Sequence, residues 1–495
     1  MKIQNTKTRK LEEFRPLSSR EVKVYLCPTV YNYAHINFRA YIFEDIVIRT
    51  LRFLGYNVVS TMNLTDVDDK TIRDSQIAGE SLKNFTEKYS KIFLNDIKNL
   101  NIIPADNIVP VTTLIPEMTR MIQTMLNRKN AYLSDDSIYF DIKTSKNYEL
   151  AGLEKQNLKA ARVDNDEYEK DSASDFVLWK SWKESDPNYW LEEFKIPKNE
   201  RFRKSSLQNE NVEIVKENDS EIIVKIKRPG WHIECSACNM KYFGQQIDIH
   251  MIDLIFPHHQ NEIAQTEACT HKEFSKYWIH SGHLMVDGKK MSKSAKNFYT
   301  LKDLEEKYLE VPKSTLYRAI RLSYISKYST QIDFSFSKLE SNFSVVNSFD
   351  ETLKNISREL DQNTDFRLPS QEFSDELQIF LEFLESMEDD FNTPEALSVF
   401  HNFIKFINIL KNNSFCKSEL NSLLEIAKTF DQILAILDFS ILEKQEVPED
   451  ILRIFEQRNI FKKNKDFQKA DEIRDILIEK YKIIDYRDGS YLEKI

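Results

Sequence analysis

Apolar and polar residues alternate through Val22-Lys23-Val24-Tyr25-Leu26-Cys27, and Pro28-Thr29 breaks the run, which predicts a strand leading into a loop. Residues 40–54 then carry apolar positions at helical spacing, and Gly55 stands where such a helix would end. Residues 56–62 read as a second strand. Strand, helix, strand with a crossover of that length is the βαβ unit of a parallel sheet, whose ligands sit beyond the carboxyl ends of its strands. The loops 27–36 and 63–70 are therefore the expected functional ones. From Ile115 the pattern turns helical, then irregular and highly charged as far as Lys227, with 212–215 and 222–226 flanking a surface hairpin turn. Pro229 to Cys235 resumes a compact pattern, and Asp253-Leu254-Ile255-Phe256 reads as a buried strand. Beyond Leu301 strands largely disappear and helical periodicity dominates to Glu479.

Length changes this picture first. At 495 residues the chain exceeds what one hydrophobic core organises, so two to four domains are expected. A composition 41% hydrophobic and 30% charged excludes a disordered or collagen-like chain, and no run approaches the length of a membrane helix. The basic first ten residues are followed by no apolar stretch, so no secretory signal is read and a cytoplasmic location is expected. Five cysteines are too few for a disulfide framework and fit reduced thiols or metal ligands. A net charge of −10 argues against a protein that coats nucleic acid generally, yet residues 451–495 hold 11 Lys+Arg against 9 Asp+Glu. Arg458, Lys462, Lys463 and Arg474 are the candidates there for contacting a polyanion, with a solvated helix face as the competing reading.

Seven of the nine histidines lie between His232 and His283. Within that window His258 and Glu262 stand at i and i+4, one helical turn apart, so both can face one ion. Cys235 lies upstream and Cys27 ends the first strand. Two thiolates, an imidazole and a carboxylate form a borderline-soft donor set suited to zinc. A buried cysteine as a small hydrophobe, or a redox pair in Cys235-Ser236-Ala237-Cys238, are the alternatives on these residues alone.

Asp287-Gly288-Lys289-Lys290-Met291-Ser292-Lys293-Ser294 alternates ammonium groups and hydroxyls in a loop suited to a triphosphate. The string Lys-Met-Ser-Lys-Ser, downstream of a βαβ unit that carries Tyr33-Ala34-His35-Ile36 in its first loop, resembles a class I aminoacyl-tRNA synthetase. Cys27-Pro28-Thr29-Val30-Tyr31, Asn63 to Lys70, Trp231-His232-Ile233-Glu234-Cys235 and Phe256 to Glu262 resemble the cysteinyl-tRNA synthetases within that class. Asp389 to Leu397 is similar to that family's helical domain, and Asp466 to Asp475 to its carboxy-terminal region. The likeness covers nearly the whole chain except about 191–227, where the family is usually shorter.

The resemblance implies an α/β fold: a Rossmann-type parallel-sheet catalytic domain with an insertion, followed by an α-helical C-terminal region. The expected boundaries are 1–114 and 228–287 for the two halves of the catalytic domain, 115–227 for the insertion, 288–345 for the KMSKS loop and stem-contact region, 346–447 for a helical bundle and 448–495 for anticodon binding. It implies one Zn²⁺ held by Cys27, Cys235, His258 and Glu262, with Trp231 closing over the substrate cysteine. It also implies ATP contacts from Thr29, His35, Asn37, Lys290 and Lys293, of which His35, Lys290 and Lys293 are the catalytic ones, and Mg²⁺ accompanying ATP. The partners it implies are L-cysteine, ATP and tRNA(Cys), with a monomer as the family expectation. Several family glycines are missing: Cys27 is followed directly by Pro28, His35-Ile36-Asn37-Phe38 lacks the glycine of the HIGH or HIGN signature, His250-Met251-Ile252-Asp253 is about two residues short, and Lys296 replaces another. Glycine lets a backbone approach phosphate closely, so slow adenylation with zinc retained is expected. A cysteine ligase that acylates an amine and a non-catalytic tRNA-binding relative are the rival readings. Helical sequence continuing to Glu479 counts against the first, and the missing glycines motivate the second.

Overall fold

Strand β1, Glu21–Leu26, buries Val22, Val24, Tyr25 and Leu26, and so is covered on both faces by its fifth residue. The computed structural model describes residues 1–27, 38–134, 137–145, 148, 150, 175–180, 190–198, 212–251, 254–290, 297–363, 365, 373, 378–410, 415–442, 448–478, 481–485 and 490–494. Helix α1, Arg39–Phe53, turns its apolar side inward and is followed by Gly55 at φ +87°, where Gly55 N–H reaches the Arg52 carbonyl and Tyr56 N–H the Leu51 carbonyl. A side chain at that φ would be strained, so glycine sets the stop the sequence predicts. Strand β2, Asn57–Leu64, runs parallel to β1, with Tyr25 opposite Thr61. Helix α2, Asp69–Ala78, begins at a reciprocal cap in which Thr71 N–H donates to Asp68 Oδ1 at 2.6 Å and Asp68 N–H to Thr71 Oγ1 at 2.8 Å. That cap fixes the end of the 63–70 loop.

Strands β3, Asn107–Pro110, β4, Ile247–Met251, and β5, Ser275–Ile279, complete a five-stranded sheet in the order β3-β2-β1-β4-β5, parallel throughout. The chain order reverses between β1 and β4, which opens a crevice beyond their carboxyl ends. Cys27 is the first residue past β1. The structure corrects one expectation here: the buried strand is Ile247–Met251, while 254–256 is not a strand and 253 lies outside the described residues. Phe256 precedes Pro257 in an irregular turn, Ile255–His259, that feeds the next helix. Proline has no N–H to give a central ladder, and the alternation of Ile247, Ile249 and Met251 supplies the strand pattern instead.

Between β3 and β4 lies the insertion. Helix Ile115–Asn127 buries Ile115, Met118, Met121, Ile122, Met125 and Leu126 on one face. Strands Arg228–Pro229, Phe176–Lys180, Ser137–Phe140 and Ala131–Ser134 form an antiparallel sheet, and the predicted hairpin, Glu213–Glu217 and Glu221–Ile226, gains a third strand in Glu192–Pro197. The segment read as irregular is thus partly β; its strands are too short for their alternation to stand out among charged neighbours. Trp179, Phe194, Ile222 and Val224 join Tyr25, Cys27 and Cys235 in one apolar core.

After β5, Leu284–Val286 pairs antiparallel with Lys289–Lys290 and parallel with Ile332–Phe334. The remaining described residues are mainly helical, through Lys313–Tyr324, Phe336–Gln362, Thr393–Leu410, Lys417–Leu434, Glu449–Lys463 and Phe467–Leu477. A closing hairpin, Tyr481–Asp485 with Ser490–Lys494, was not read from the sequence. The chain divides into two compact units: Met1–Thr352 with Asn363–Leu437, and Leu353–Gln362 with Asp438–Ile495.

Candidate active site and metal centre

Helix α3, Trp231–Tyr242, is buried from His232 to Asn239, and helix α4, Gln260–Thr270, from Gln260 to Thr266. Two helices buried on every side must satisfy their polar side chains internally. Gln265 Nε2 donates to Ser236 Oγ at 2.7 Å, and Thr266 Oγ1 to the same hydroxyl at 2.9 Å, pinning α4 against α3. That pairing sets Cys235 opposite His258 and Glu262. Cys27, leaving β1, meets them: its Sγ lies 2.8 Å from Cys235 Sγ and 3.4 Å from His258 Nε2. His258 Nε2 is 3.2 Å from Cys235 Sγ and 3.0 Å from Glu262 Oε1. Cys27, Cys235 and His258 thus bring three donor atoms together, and Glu262, one turn on from His258, meets that imidazole, so three separate stretches of chain join here with all four residues within 1% of full burial.

Neighbours hold these donors in orientation. His250, in β4, places Nε2 3.1 Å from Glu262 Oε2, leaving Oε1 to face His258 Nε2. His232 Nδ1 lies 3.0 Å from His258 Nδ1, so one ring donates and the other accepts. When His258 donates from Nδ1, its Nε2 lone pair points at the sulfurs. Tyr25 OH donates to Asn63 Oδ1 at 2.9 Å, and that oxygen is 3.8 Å from Cys235 Sγ. The Trp231 ring lies tilted at 35° to His258 with the centroids 4.3 Å apart, its Nε1 buried and without a partner among the described residues.

Charge follows from burial and contact. Burial pushes the Cys235 thiol well above its ordinary value, and Cys27 adds to the effect. At Cys27 the contact with Cys235 pulls down while burial pushes up, and the net is upward. Burial works against charge on His258, yet Cys235 and Glu262 carry it up to about 10. Burial would likewise raise Glu262, but His250 and His258 hold it down at about 2. Without a metal the cluster keeps its charge balanced by protons on sulfur and imidazole. Two sulfurs, one nitrogen and a carboxylate oxygen fit a borderline-soft divalent cation in the place of those protons. His250, His259 and Glu262 form a second buried donor group, which adjoins the first through the Glu262–His258 contact.

Other expected residues fall differently. Thr29, His35 and Asn37 lie in 28–37, and Lys293 in 291–296, outside the described residues. Lys290 ends the short strand Lys289–Lys290. In the 63–70 loop, Asp66 accepts from Thr112 N–H at 2.9 Å and Oγ1 at 2.6 Å, while Asp69 pairs with Lys180 at 2.8 Å and with Arg228. This loop is braced by the insertion. Arg458 is buried, with Nη1 donating to Asn459 Oδ1 and Ser490 Oγ, both at 3.1 Å, whereas Lys463 and Arg474 are exposed and Lys462 is partly so. Sequence reasoning singled out neither His232 nor His250 as a ligand's support, although the histidine clustering signalled a concentrated site.

Comparisons with known proteins agree with this geometry. The family described as tRNA synthetases class I (C) catalytic domain matches residues 13–192 and 218–344, and the DALR domain matches 382–439. Two solved structures share the fold. A leucyl-tRNA synthetase from Agrobacterium radiobacter, in a ternary complex with tRNA, aligns with a TM-score of 0.58 and 9% identity, over 88% of this chain and 87% of that one. A methionyl-tRNA synthetase from Mycobacterium tuberculosis aligns with a TM-score of 0.53 and 12% identity, over 84% and 90%. The sheet order, the crevice and these matches define a class I aminoacyl-tRNA synthetase. Among curated relatives, a Cysteine--tRNA ligase of Brachyspira hyodysenteriae is 40% identical over 96% of this chain and 95% of its own length, and one of Protochlamydia amoebophila is 38% identical over 100% and 98%. The chain belongs to the cysteine--tRNA ligase family. Its activity is the ATP-dependent activation of L-cysteine to cysteinyl adenylate and the transfer of the cysteinyl group to the 3′-terminal ribose of tRNA(Cys). No helix among the described residues is long and apolar enough to cross a membrane.

Proposed function

We propose that this ligase selects cysteine through one Zn²⁺ held by Cys27, Cys235, His258 and Glu262. The observation that carries the reading is the buried convergence of the Cys27, Cys235 and His258 donors, with Glu262 Oε1 beside them at 3.0 Å from His258 Nε2. Zinc bound there supplies a site for which a substrate thiolate is a far better ligand than a serine hydroxyl. Pockets that merely fit one substrate against another of similar size discriminate by about 1–3 kcal/mol, so a ligand bond made by one of the two alone reduces the need for hydrolytic editing. His250 orients Glu262, His232 fixes the ring of His258, and Trp231 covers the cluster and excludes water from the bound amino acid.

The same reading gives ATP to the two segments that carry the HIGH-like and KMSKS strings. Thr29, His35 and Asn37 bind it from the first, and Lys290 and Lys293 from the second, with Mg²⁺ accompanying the phosphates. The substrate carboxylate attacks the α-phosphorus and pyrophosphate leaves; His35, Lys290 and Lys293 stabilise the charge that builds on the phosphates. A ribose hydroxyl of the tRNA then attacks the activated carbonyl and AMP leaves. Lys462, Lys463 and Arg474 contribute to holding tRNA, and the enzyme works as a cytoplasmic monomer.

Metal analysis of purified protein tests the central assignment. One zinc per chain is expected, lost in Cys235→Ser and kept in Cys238→Ser, whose thiol is buried beside the cluster without joining it. Equal zinc in wild type and Cys235→Ser would remove the assignment.

A further inference from the structure

Arg39 is the first residue of α1 and only 1% exposed, an unusual burial for a guanidinium. Its Nη1 donates to the carbonyls of Gly282 and His283, and its Nη2 to those of Lys327 at 2.9 Å, Tyr328 at 3.0 Å and Thr330. The first pair lies between β5 and the strand Leu284–Val286, which carries the Lys289–Lys290 hairpin. The other three lie in the turn before Ile332–Phe334, the parallel neighbour of Leu284–Val286. One side chain thus ties the start of α1 to both strands at the base of the hairpin.

The two backbone segments also touch each other. Gly282 N–H donates to the Tyr328 carbonyl at 2.7 Å, and a Cβ on Gly282 would come within 2.4 Å of the Thr330 carbonyl oxygen. Only glycine allows that approach, and the approach brings carbonyls from both segments within reach of one guanidinium. Further along, Gly288 N–H is held by Asp333 Oδ1 at 2.9 Å and Asp287 N–H by the Phe334 carbonyl at 3.3 Å, so the hairpin is fixed at its tip as well as its base. Arg39 follows residues 28–37 with one residue between, and the hairpin ends where residues 291–296 begin. The chain entering one proposed ATP loop and the chain leaving the other are therefore joined through Arg39.

We propose that Arg39 is a positioning residue for adenylation: it holds the start of α1, which follows the His35 segment in the chain, to the base of the Lys289–Lys290 hairpin, which precedes Lys293. This rests on the reading that the segments carrying His35 and Lys293 bind ATP. A lysine keeps the charge but presents a point donor on a flexible stem, and cannot span five carbonyls with a planar fork. Misplacement of reacting groups by about 1 Å costs about a hundredfold in rate, so Arg39→Lys is expected to slow cysteine-dependent ATP–pyrophosphate exchange about tenfold to a hundredfold in kcat. The KM for cysteine and the zinc content should stay at wild-type values, because the donor cluster is untouched. Gly282→Ala, which pushes the same two segments apart while keeping the arginine, should give the same pattern.

The deciding measurement is the double variant Arg39→Lys with Lys293→Ala. If Arg39 acts by placing Lys293, the double variant is no slower than Lys293→Ala alone; additive losses would mean independent action and overturn the proposal. A folded Arg39→Lys protein with unchanged kcat would also overturn it, as would one that loses zinc or cysteine affinity together with rate. Unchanged exchange in Lys293→Ala alone would instead overturn the ATP reading on which the proposal stands.

Discussion

The donor cluster and the carboxy-terminal helices are built on opposite principles. In the cluster, Cys27, Cys235, His258 and Glu262 are fully buried, and each polar contact is made by another side chain. In Glu449–Lys463 and Phe467–Leu477 the internal core is small, with Phe455, Leu477 and Tyr481 at its centre. There Ile460, Phe467 and Ile476 are 57%, 58% and 66% exposed beside lysines and arginines. A buried site selects a small substrate by the few atoms it presents, and each atom is indispensable. An exposed basic surface with apolar patches suits a large polyanion, over which any one contact is worth little. Changes in the two regions should therefore differ in kind.

The largest effect is expected at the proposed zinc ligands. Glu262→Gln removes the only carboxylate of the cluster and should bring cysteine-dependent ATP–pyrophosphate exchange to background along with loss of zinc; a zinc-loaded, active variant would break the contrast. Next come the supporting residues. His250→Ala leaves Glu262 unheld and should weaken zinc retention about tenfold to a hundredfold, measured by competition with a chelator, while added zinc restores exchange.

In the carboxy-terminal region, removal of residues 448–495 should leave pyrophosphate exchange within about twofold of wild type and reduce aminoacylation of tRNA through KM, the signature of lost binding. Loss of both activities in a folded protein would place the region in the catalytic machinery. The smallest effect separates two arginines. Arg474→Gln should weaken tRNA binding mildly and lower the salt slope of log Kd by about one, the loss of one phosphate contact. Arg458→Gln should instead lower the melting temperature of the unit, since its guanidinium is spent on Asn459 and Ser490. A salt-slope change at Arg458 with unchanged melting would reverse the assignment.

The same contrast governs how much was legible in the sequence. The first βαβ unit, its Gly55 stop and the hairpin before Ile226 followed from local pattern, because periodicity and turn chemistry act within a few residues. The ligand spacing of His258 and Glu262 was equally local. Joining them to Cys27 and Cys235 required either the family resemblance or the fold, since contacts 208 and 231 positions apart leave no periodic trace. The strand at Ile247–Met251 was displaced in the sequence reading because the apolar run 254–256 outweighed the alternation before it, and only proline chemistry corrects that. Arg458 looked like its basic neighbours because composition does not distinguish a cation at the surface from one packed against Ser490. Arg39 had no signal at all: its partners are backbone carbonyls, to which every residue type contributes alike.

X-ray absorption at the zinc edge of the wild-type protein, with and without cysteine, reads the cluster directly. The account predicts a shell with two sulfurs at about 2.3 Å and two lighter donors at about 2.0–2.2 Å, with a third sulfur on addition of cysteine and none on addition of serine. A metal shell that contains no protein sulfur, or one that responds to serine and cysteine alike, would contradict it.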